Sequence, residues 1–406
     1  MGNHDDVLIF LRAIQFLGPL FLTFYFGWKQ KDNERILVGG LFSFLYSIAL
    51  ILPAFALANH LGMWDFGGNT LMLLGVPADS WFAWSFLFGP AIFFAQPKLN
   101  PLVFVVILIA VQVLFFKSLH PFVTAGDYWF IGIALILLVV HIPAQYLARW
   151  TAFDMNLIAR ACILAFGYGF LAFFVLPTLI MQAMGGEWDF QSKSVFNYTI
   201  TALLLTPCVV LGLTAVHMFV VHGEGTPIPF DNTKHLVRSG IYSYVTNPMQ
   251  LCSALSWIVI GLFLHNAYVA LAAVMAAIFV LGLVRWHHSH DLQVRFPDGW
   301  PEYKNNVPEW RLRWKPWIKH PSKFTWSANS SFQKQYVHWL KRHNPTGLEF
   351  VATSEDSHQF IDGNRGRTFS GFPGLVYPLF HVNFLTALLA SGLLLIEIPG
   401  QLIKKG

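Results

Sequence analysis

The residues best equipped for chemistry fall between His222 and Trp317, in two polar, aromatic-rich arms on either side of a pair of short apolar runs. The first arm reads HGEGTPIPFDNTKHLVRSGIYSYVTNPMQ. Pro227, Pro229 and Gly240 forbid a continuous helix there, so backbone amides and carbonyls are expected to stay free for a ligand. Tyr242 and Tyr244 stand just ahead of Asn247-Pro248-Met249, where the proline is placed to open the next helix as its first residue. The second arm starts RWHHSHD, which puts a fixed cation at Arg285, a titratable base at His290 and an anion at Asp291. Such a set belongs to a binding site rather than to lipid-facing filler.

The elements that must position these arms are membrane helices. The chain has 406 residues, 55% of them hydrophobic and only 12% charged. That composition predicts an all-α polytopic membrane protein with a small soluble appendage. Apolar runs of the length a bilayer crossing needs lie at about 7–28, 36–58, 78–96, 101–119, 127–148, 156–183, 196–221, 250–265 and 267–285, which makes about nine transmembrane helices. The last two are short enough to pack as a tight pair. Met1 to Asp6 is acidic and no small-residue cleavage site follows the first run, so that run is expected to be retained as a span. The chain divides into a multi-span part (1–195), a part carrying the two arms (196–320) and a C-terminal part (321–406).

The formal charge of +5 comes without any long Lys/Arg run, so basic loops at one membrane face explain it and a nucleic-acid partner is excluded. Cys162, Cys208 and Cys252 all lie in apolar runs without CxxC spacing, which argues against a disulfide framework and against a bound metal. Alternate loops carry Lys29, Lys31 and Arg35, then Lys98, then Arg149 and Arg160, then Lys234 and Arg238, and finally Arg311, Arg313, Lys315, Lys319 and Lys323. Positive residues stay cytoplasmic in short loops. The N-terminus is therefore expected outside and both arms inside, in the cytoplasmic membrane if the source is bacterial. Within the spans, Arg12 reads either as a snorkelling or a functional residue, and His141 and His217 as structural histidines.

Over about residues 222–317, GTPIPFDNTKHLVRSGIYSYVTNPMQ, a helical hairpin and then R-x5-D-L-x3-F-P-D-G-W-x2-Y-x3-VP resemble the isoprenylcysteine carboxyl methyltransferase family and its phospholipid N-methyltransferase relatives. The resemblance implies a membrane-embedded, S-adenosylmethionine-dependent methyltransferase acting on a lipid-like or prenylated acceptor. It places the cofactor between the Asn-Pro loop and the segment after the hairpin, with Gly240, Tyr242, Tyr244, Asn247, Pro248, Met249, His290 and Asp291 as binding residues and Arg285 and His290 as catalytic ones. Methyl transfer from a sulfonium is an in-line displacement in which positioning and a dry site carry much of the work. Aromatic faces at Tyr242 and Tyr244 would hold the sulfonium by cation–π attraction, and Asp291 would pair with the cofactor ammonium.

The chain departs from that pattern at three places. Thr246 stands where relatives carry Arg or His, Gln250 where they carry Tyr, and His290-Asp291 where they carry two glutamates. The first change removes a cation from the expected carboxylate clamp, and Arg285 and Arg295 are the nearest replacements. Sterol reductases share a Gly-x-Tyr and Asn/His-Pro layout, which keeps a nicotinamide-dependent membrane reductase as an alternative. A non-enzymatic membrane scaffold is another.

Beyond Trp317 charge and serine rise, and SANSSFQKQYVHWLKRHNPTGLEFVAT resembles the start of a DCC-type thioredoxin-like domain, over about 324–406. The two thiol positions are Ser330 and Gln333, so disulfide exchange is ruled out. That resemblance implies a cytoplasmic α/β appendage kept for structure or for docking a protein partner. Residues 374–398 are apolar but interrupted by Pro378, His381 and Asn383. They are expected to pack on this appendage or lie in the interface rather than to cross.

Overall fold

The computed structural model describes residues 2–67, 70–115, 122–226, 228, 230–231, 233–279, 282 and 291–404. The chain forms two compact units, Met1–Glu187 and Trp188–Gly406.

The first unit is built on helices α1 (Gly2–Lys29) and α2 (Glu34–His60). A helical rod α3 over 78–95, then α4 (Pro101–Phe115), α5 (Trp129–Ala152) and α6 (Leu157–Met184) follow. Short ribbons cap the bundle: β1 (Trp64–Phe66) pairs with β4 (Val123–Ala125), and β2 (Met72–Leu73) with β3 (Val76–Pro77). Prolines explain the irregular turns in these helices. A π turn at Leu87–Ala91 contains Pro90, and those at Leu137–His141 and Leu171–Val175 end two residues before Pro143 and Pro177. A proline has no N–H for the carbonyl four residues back. Side chains from neighbouring helices supply the missing donors: Tyr46 Oη donates to Val139 O at 2.8 Å, and Thr23 Oγ1 to Phe86 O at 3.3 Å. Arg12 is committed structurally, donating to Asp79 at 2.9 Å and to Gly67 O at 2.6 Å. His141 is buried against Phe88, ring centroids 4.4 Å apart.

The second unit opens with α7 (Val195–Gly223), which Ser194 caps by accepting from Asn197 N at 3.2 Å. Helix α8 (Pro248–Leu264) lies against it and turns back through His265 into α9 (Ala267–Leu271) and α10 (Ala273–Phe279). The expected tight pair is present as far as the described residues go. Asn266 caps α9 by accepting from Tyr268 N and Val269 N, and a side chain at Gly261 would meet Ala270 N at 2.3 Å. Glycine is what lets the two helices approach so closely.

After the short α11 (Trp300–Asn306) comes a four-stranded sheet of order β6-β5-β7-β8, with β5 at Ser322–Ser327, β6 at Leu348–Thr353, β7 at Gln359–Ile361 and β8 at Thr368–Ser370. Strands β5 and β6 are parallel, Phe324 opposite Phe350, and α12 (Ser331–Arg342) makes the crossover between them. The next two pairings are antiparallel, Phe324 opposite Phe360 and Phe360 opposite Phe369. Ser330 caps α12 by accepting from Gln333 N, and Gln333 Oε1 accepts from Ser327 N at 2.7 Å. The two positions where thiols were considered are thus a helix cap and a buried amide that ties the helix to β5.

Helices α13 (Gly371–Val376) and α14 (Phe384–Lys404) complete the chain. Val376, Phe380, Ala387, Ala390 and Leu394 join Phe324 and Phe360 of the sheet and Leu211, Ala215 and Met218 of α7 in one buried cluster. Thr214 Oγ1 donates to Ser391 O at 3.3 Å. So α14 packs along α7 as well as against the sheet, where the sequence led us to expect the appendage or the interface alone.

Among the described residues, five helices are long and apolar enough to cross a membrane: Ile9–Lys29, Glu34–His60, Trp129–Ala152, Leu157–Met184 and Val195–Gly223. These point to an integral membrane protein. Of the other four expected spans, Pro101–Leu114 and Pro248–Leu264 are apolar but shorter. At 1.5 Å per residue such helices reach roughly 20–26 Å, short of a hydrocarbon core of about 30 Å. The run at 78–96 forms the helical rod 78–95 but is not among the helices long and apolar enough to cross, and the last expected span runs into residues outside the described ones.

Candidate active site

The site is built where α7 stops. Its last turn, Phe219–Gly223, is a π turn, and Glu224 takes a left-handed conformation with φ 55°. Gly223 O then accepts from Lys234 N at 2.7 Å and from His235 N at 3.2 Å, closing the intervening loop on itself. A Cβ at Gly223 would meet Thr233 Cγ2 at 2.6 Å.

The chain next makes a 3-10 turn, Gly240–Ser243. Gly240 is required twice over. Its φ is 63°, and an added Cβ would lie 2.8 Å from Met218 Sδ. Ser243 Oγ donates to Gly240 O at 2.7 Å and steadies the turn. Pro248 is the first residue of α8 and Asn247 its N-cap, as the spacing predicts, but the Asn247 side chain makes no cap hydrogen bond.

The second arm lies along this turn and takes up its backbone. Tyr303 Oη donates to Tyr242 O at 2.7 Å, Trp317 N to Ser243 O at 2.9 Å and Arg313 N to Tyr244 O at 3.1 Å, while Thr246 N donates to Pro308 O at 3.0 Å. The expectation that this backbone stays free for a ligand is therefore corrected. A buried polar group must be paired, and here the partner is the other arm. Trp300, Tyr303 and Val307 form the apolar underside of the contact, with Leu236 and Trp317 against them.

The two tyrosines are placed differently from a pair of open cation platforms. Tyr244 is fully buried, with its ring 6.0 Å from that of Phe384 and its hydroxyl donating to Phe380 O at 2.8 Å. It serves to fasten the C-terminal segment. Tyr242 is buried with its ring edge-on to Phe219 at 5.2 Å. Burial raises the pKa of both phenols, so both remain protonated donors. Met249 packs against the same cluster.

Polar atoms left over in this turn are informative. Among the described residues Tyr242 Oη, Thr246 Oγ1 and Asn247 Nδ2 are buried without a hydrogen-bond partner. Each such orphan costs about 1–3 kcal/mol unless something outside the chain satisfies it. Three within the six residues 242–247 would suit a polar ligand with several acceptors.

On the second arm Asp291 accepts from Arg295 Nε at 2.8 Å, and Arg295 Nη1 reaches across to Thr233 O at 2.5 Å. Arg285 and His290, the expected catalytic residues, lie outside the described residues, as do Pro227 and Pro229. Among the described residues no group of three or more His, Cys, Asp or Glu side chains is placed to hold a metal ion.

Residues 197–291 match the family model described as phospholipid methyltransferase. The chain carries a phospholipid methyltransferase family domain there. The match covers α7, the first arm, the hairpin and Asp291, and overlaps the stretch in which the resemblance to isoprenylcysteine carboxyl methyltransferases was seen. No curated protein and no solved structure matches the chain. The domain points to a membrane methyltransferase and to a lipid substrate within the membrane.

Several residues that shape the domain were not singled out from the sequence. Tyr303, quoted in the motif without a role, and Trp317 fasten the turn, and Glu224 meets Arg365 at 2.9 Å from the distant turn between β7 and β8. The string Asp362-Gly-Asn-Arg-Gly-Arg367 was the available signal, since two arginines in a glycine turn need an anion, but nothing in the sequence says which one.

Proposed function

We propose that the chain is an integral-membrane methyltransferase that takes its methyl group from S-adenosylmethionine and passes it to a lipid-like or prenylated acceptor arriving from the bilayer. The observation that carries this reading is the phospholipid methyltransferase match over residues 197–291, within which Tyr242 Oη, Thr246 Oγ1 and Asn247 Nδ2 are buried without a partner among the described residues. The Asn247 amide would donate to the cofactor carboxylate, partly replacing the cation that Thr246 lacks. Tyr242 and Thr246 would meet its hydroxyls or amino-acid end. Gly240, Pro248 and Met249 set the turn's shape, Tyr244 supports it from behind, and Asp291 is the anion for the ammonium. Arg285 and His290 keep the roles expected of them, a cation beside the site and a base.

When bound, the cofactor supplies an electrophilic methyl group on a sulfonium. The chain's part is to fix that group in line with the acceptor and to exclude water. The packed turn suits this, because little of it has to reorganise.

The C-terminal part, 321–406, is read as thioredoxin-like, supported by its strand order and by a parallel β-α-β followed by an antiparallel pair. Redox chemistry is no part of its role, given Ser330 and Gln333. The loop charges support an N-terminus outside and this unit in the cytoplasm, which allows a soluble cofactor to reach the site. The division at about 195 and 320 is kept as the functional one.

Calorimetry on the purified protein tests the proposal. Saturable micromolar-range binding of S-adenosylmethionine, with no competition from NADPH, is expected. Saturable NADPH binding with no heat from S-adenosylmethionine would instead identify a reductase.

A further inference from the structure

The turn between β7 and β8 directs its charges into the end of α7. Arg365 Nη1 donates to His222 O at 3.0 Å and Nη2 to Glu224 Oε1 at 2.9 Å. Arg367 donates to Val221 O and to the same Glu224 oxygen. Val221 and His222 lie in the last turn of α7, whose carbonyls have no helical donor of their own. The two guanidinium groups cap that end and complement its dipole. They also grip the one residue there, Glu224, that adopts a left-handed backbone without being glycine.

A second grip lies at the far end of the same loop. Asp362 Oδ1 accepts from Ser239 Oγ at 3.0 Å, Asn364 Nδ2 donates to Ser239 Oγ at 2.8 Å, and Asp362 Oδ2 lies 3.8 Å from His222 Nδ1. His222 Nε2 is in turn 3.2 Å from the Tyr377 hydroxyl. Ser239, Asp362, His222 and Tyr377 are all buried. One short turn therefore holds residue 224, where the loop leaves α7, and residue 239, immediately before Gly240.

We propose that the β7–β8 turn is a positioning element of the methyltransferase site. Arg365 and Arg367 hold Glu224 in its left-handed conformation, Asp362 pins Ser239, and the loop between them delivers Gly240 to Asn247 in the geometry that receives the methyl donor. The C-terminal part, 321–406, is then a working part of the enzyme rather than a separate docking module. The inference rests on the donor reading given above for the residues it positions.

Glycine adopts the left-handed conformation unaided, which gives the test its logic. Full-length protein in detergent is compared as wild type, as Arg365→Gln/Arg367→Gln, and as that double variant with Glu224→Gly added. Binding of radiolabelled S-adenosylmethionine and hydrogen exchange of the amides at 233–247 are read together. The double variant is expected to bind about three- to thirtyfold more weakly, the range found for residues that act without touching ligand, and to exchange faster at 233–247. Adding Glu224→Gly should recover most of both. Where the double variant does not accumulate, Arg365→Gln alone reads the same comparison. A double variant that binds and exchanges like wild type overturns the proposal, and so does a glycine variant no better than the double. If wild type binds no S-adenosylmethionine, the donor reading falls, and exchange alone decides the clamp by the same criteria.

Discussion

Asp291 and Arg295 form an ion pair one helical turn apart, and Arg295 extends the link to Thr233 O at 2.5 Å. The pair thus ties the segment after the hairpin to the loop before it. Both side chains remain about a quarter exposed, 26% and 27%, so the carboxylate is still within reach of a ligand.

Replacing Asp291 with Asn keeps the shape and removes the charge. Loss of a charge-assisted hydrogen bond to the cofactor ammonium should weaken S-adenosylmethionine binding by about 1.5–3 kcal/mol, roughly ten- to a hundredfold. The melting temperature should stay close to wild type, because exposed ion pairs contribute little to stability. Normal binding with a lowered melting temperature would instead make Asp291 only the structural partner of Arg295.

Tyr242→Phe removes a buried hydroxyl that has no partner among the described residues. In the absence of ligand the change should leave stability unchanged or raise it by up to about 1 kcal/mol, since an orphaned donor carries a desolvation cost. Binding of S-adenosylmethionine should weaken at the same time. Parallel melts and titrations check the opposition; loss of both together would show that the hydroxyl serves the fold.

Gly240→Ala meets two obstacles, a left-handed φ of 63° and Met218 Sδ at 2.8 Å. The backbone term alone is about 1–2 kcal/mol. Adding Met218→Ala should relieve only the contact, so the double variant should still melt below Met218→Ala alone. Equal melting of those two would remove the backbone argument.

Acid should destabilise the second unit in two stages. Burial pushes the His381 imidazole below its ordinary range, opposed by its hydrogen bond to Thr346 O, so the folded form resists protonation. Below about pH 6.5 the unfolded chain binds the proton that the folded chain refuses, and stability falls as pH falls. Glu224 is held below the usual carboxylate range, chiefly by its hydrogen bond from Arg365. Its contribution is present above about pH 4.5 and is lost as pH drops through the depressed folded value. Melts from pH 7.5 to 2.5 should show both stages, with His381→Asn reducing the first and Arg365→Gln the second.

The membrane class and the helix of the Asn-Pro loop were legible in the sequence because they follow from local rules. A run of apolar residues, or a proline at a helix start, has few physical outcomes, and Pro248 indeed opens α8. The count of spans was less legible, since two apolar runs proved too short as helices, and hydropathy measures polarity rather than helix length. Ser330 and Gln333 showed the absence of thiols, but not that Gln333 would be the amide fastening α12 to β5.

By itself, then, the sequence determined that this is a membrane protein and marked the two polar arms between His222 and Trp317 as its candidate site. Tertiary structure alone decided how the arms close: that Tyr244 faces Phe380 rather than solvent, that Tyr303 takes the carbonyl of Tyr242, and that Glu224 is held by Arg365 from more than a hundred residues away. Hydropathy and turn preference act between neighbours in the chain and can be read from them. A buried carbonyl or carboxylate states only that it needs a donor. Which donor arrives depends on the packing that brings distant segments together.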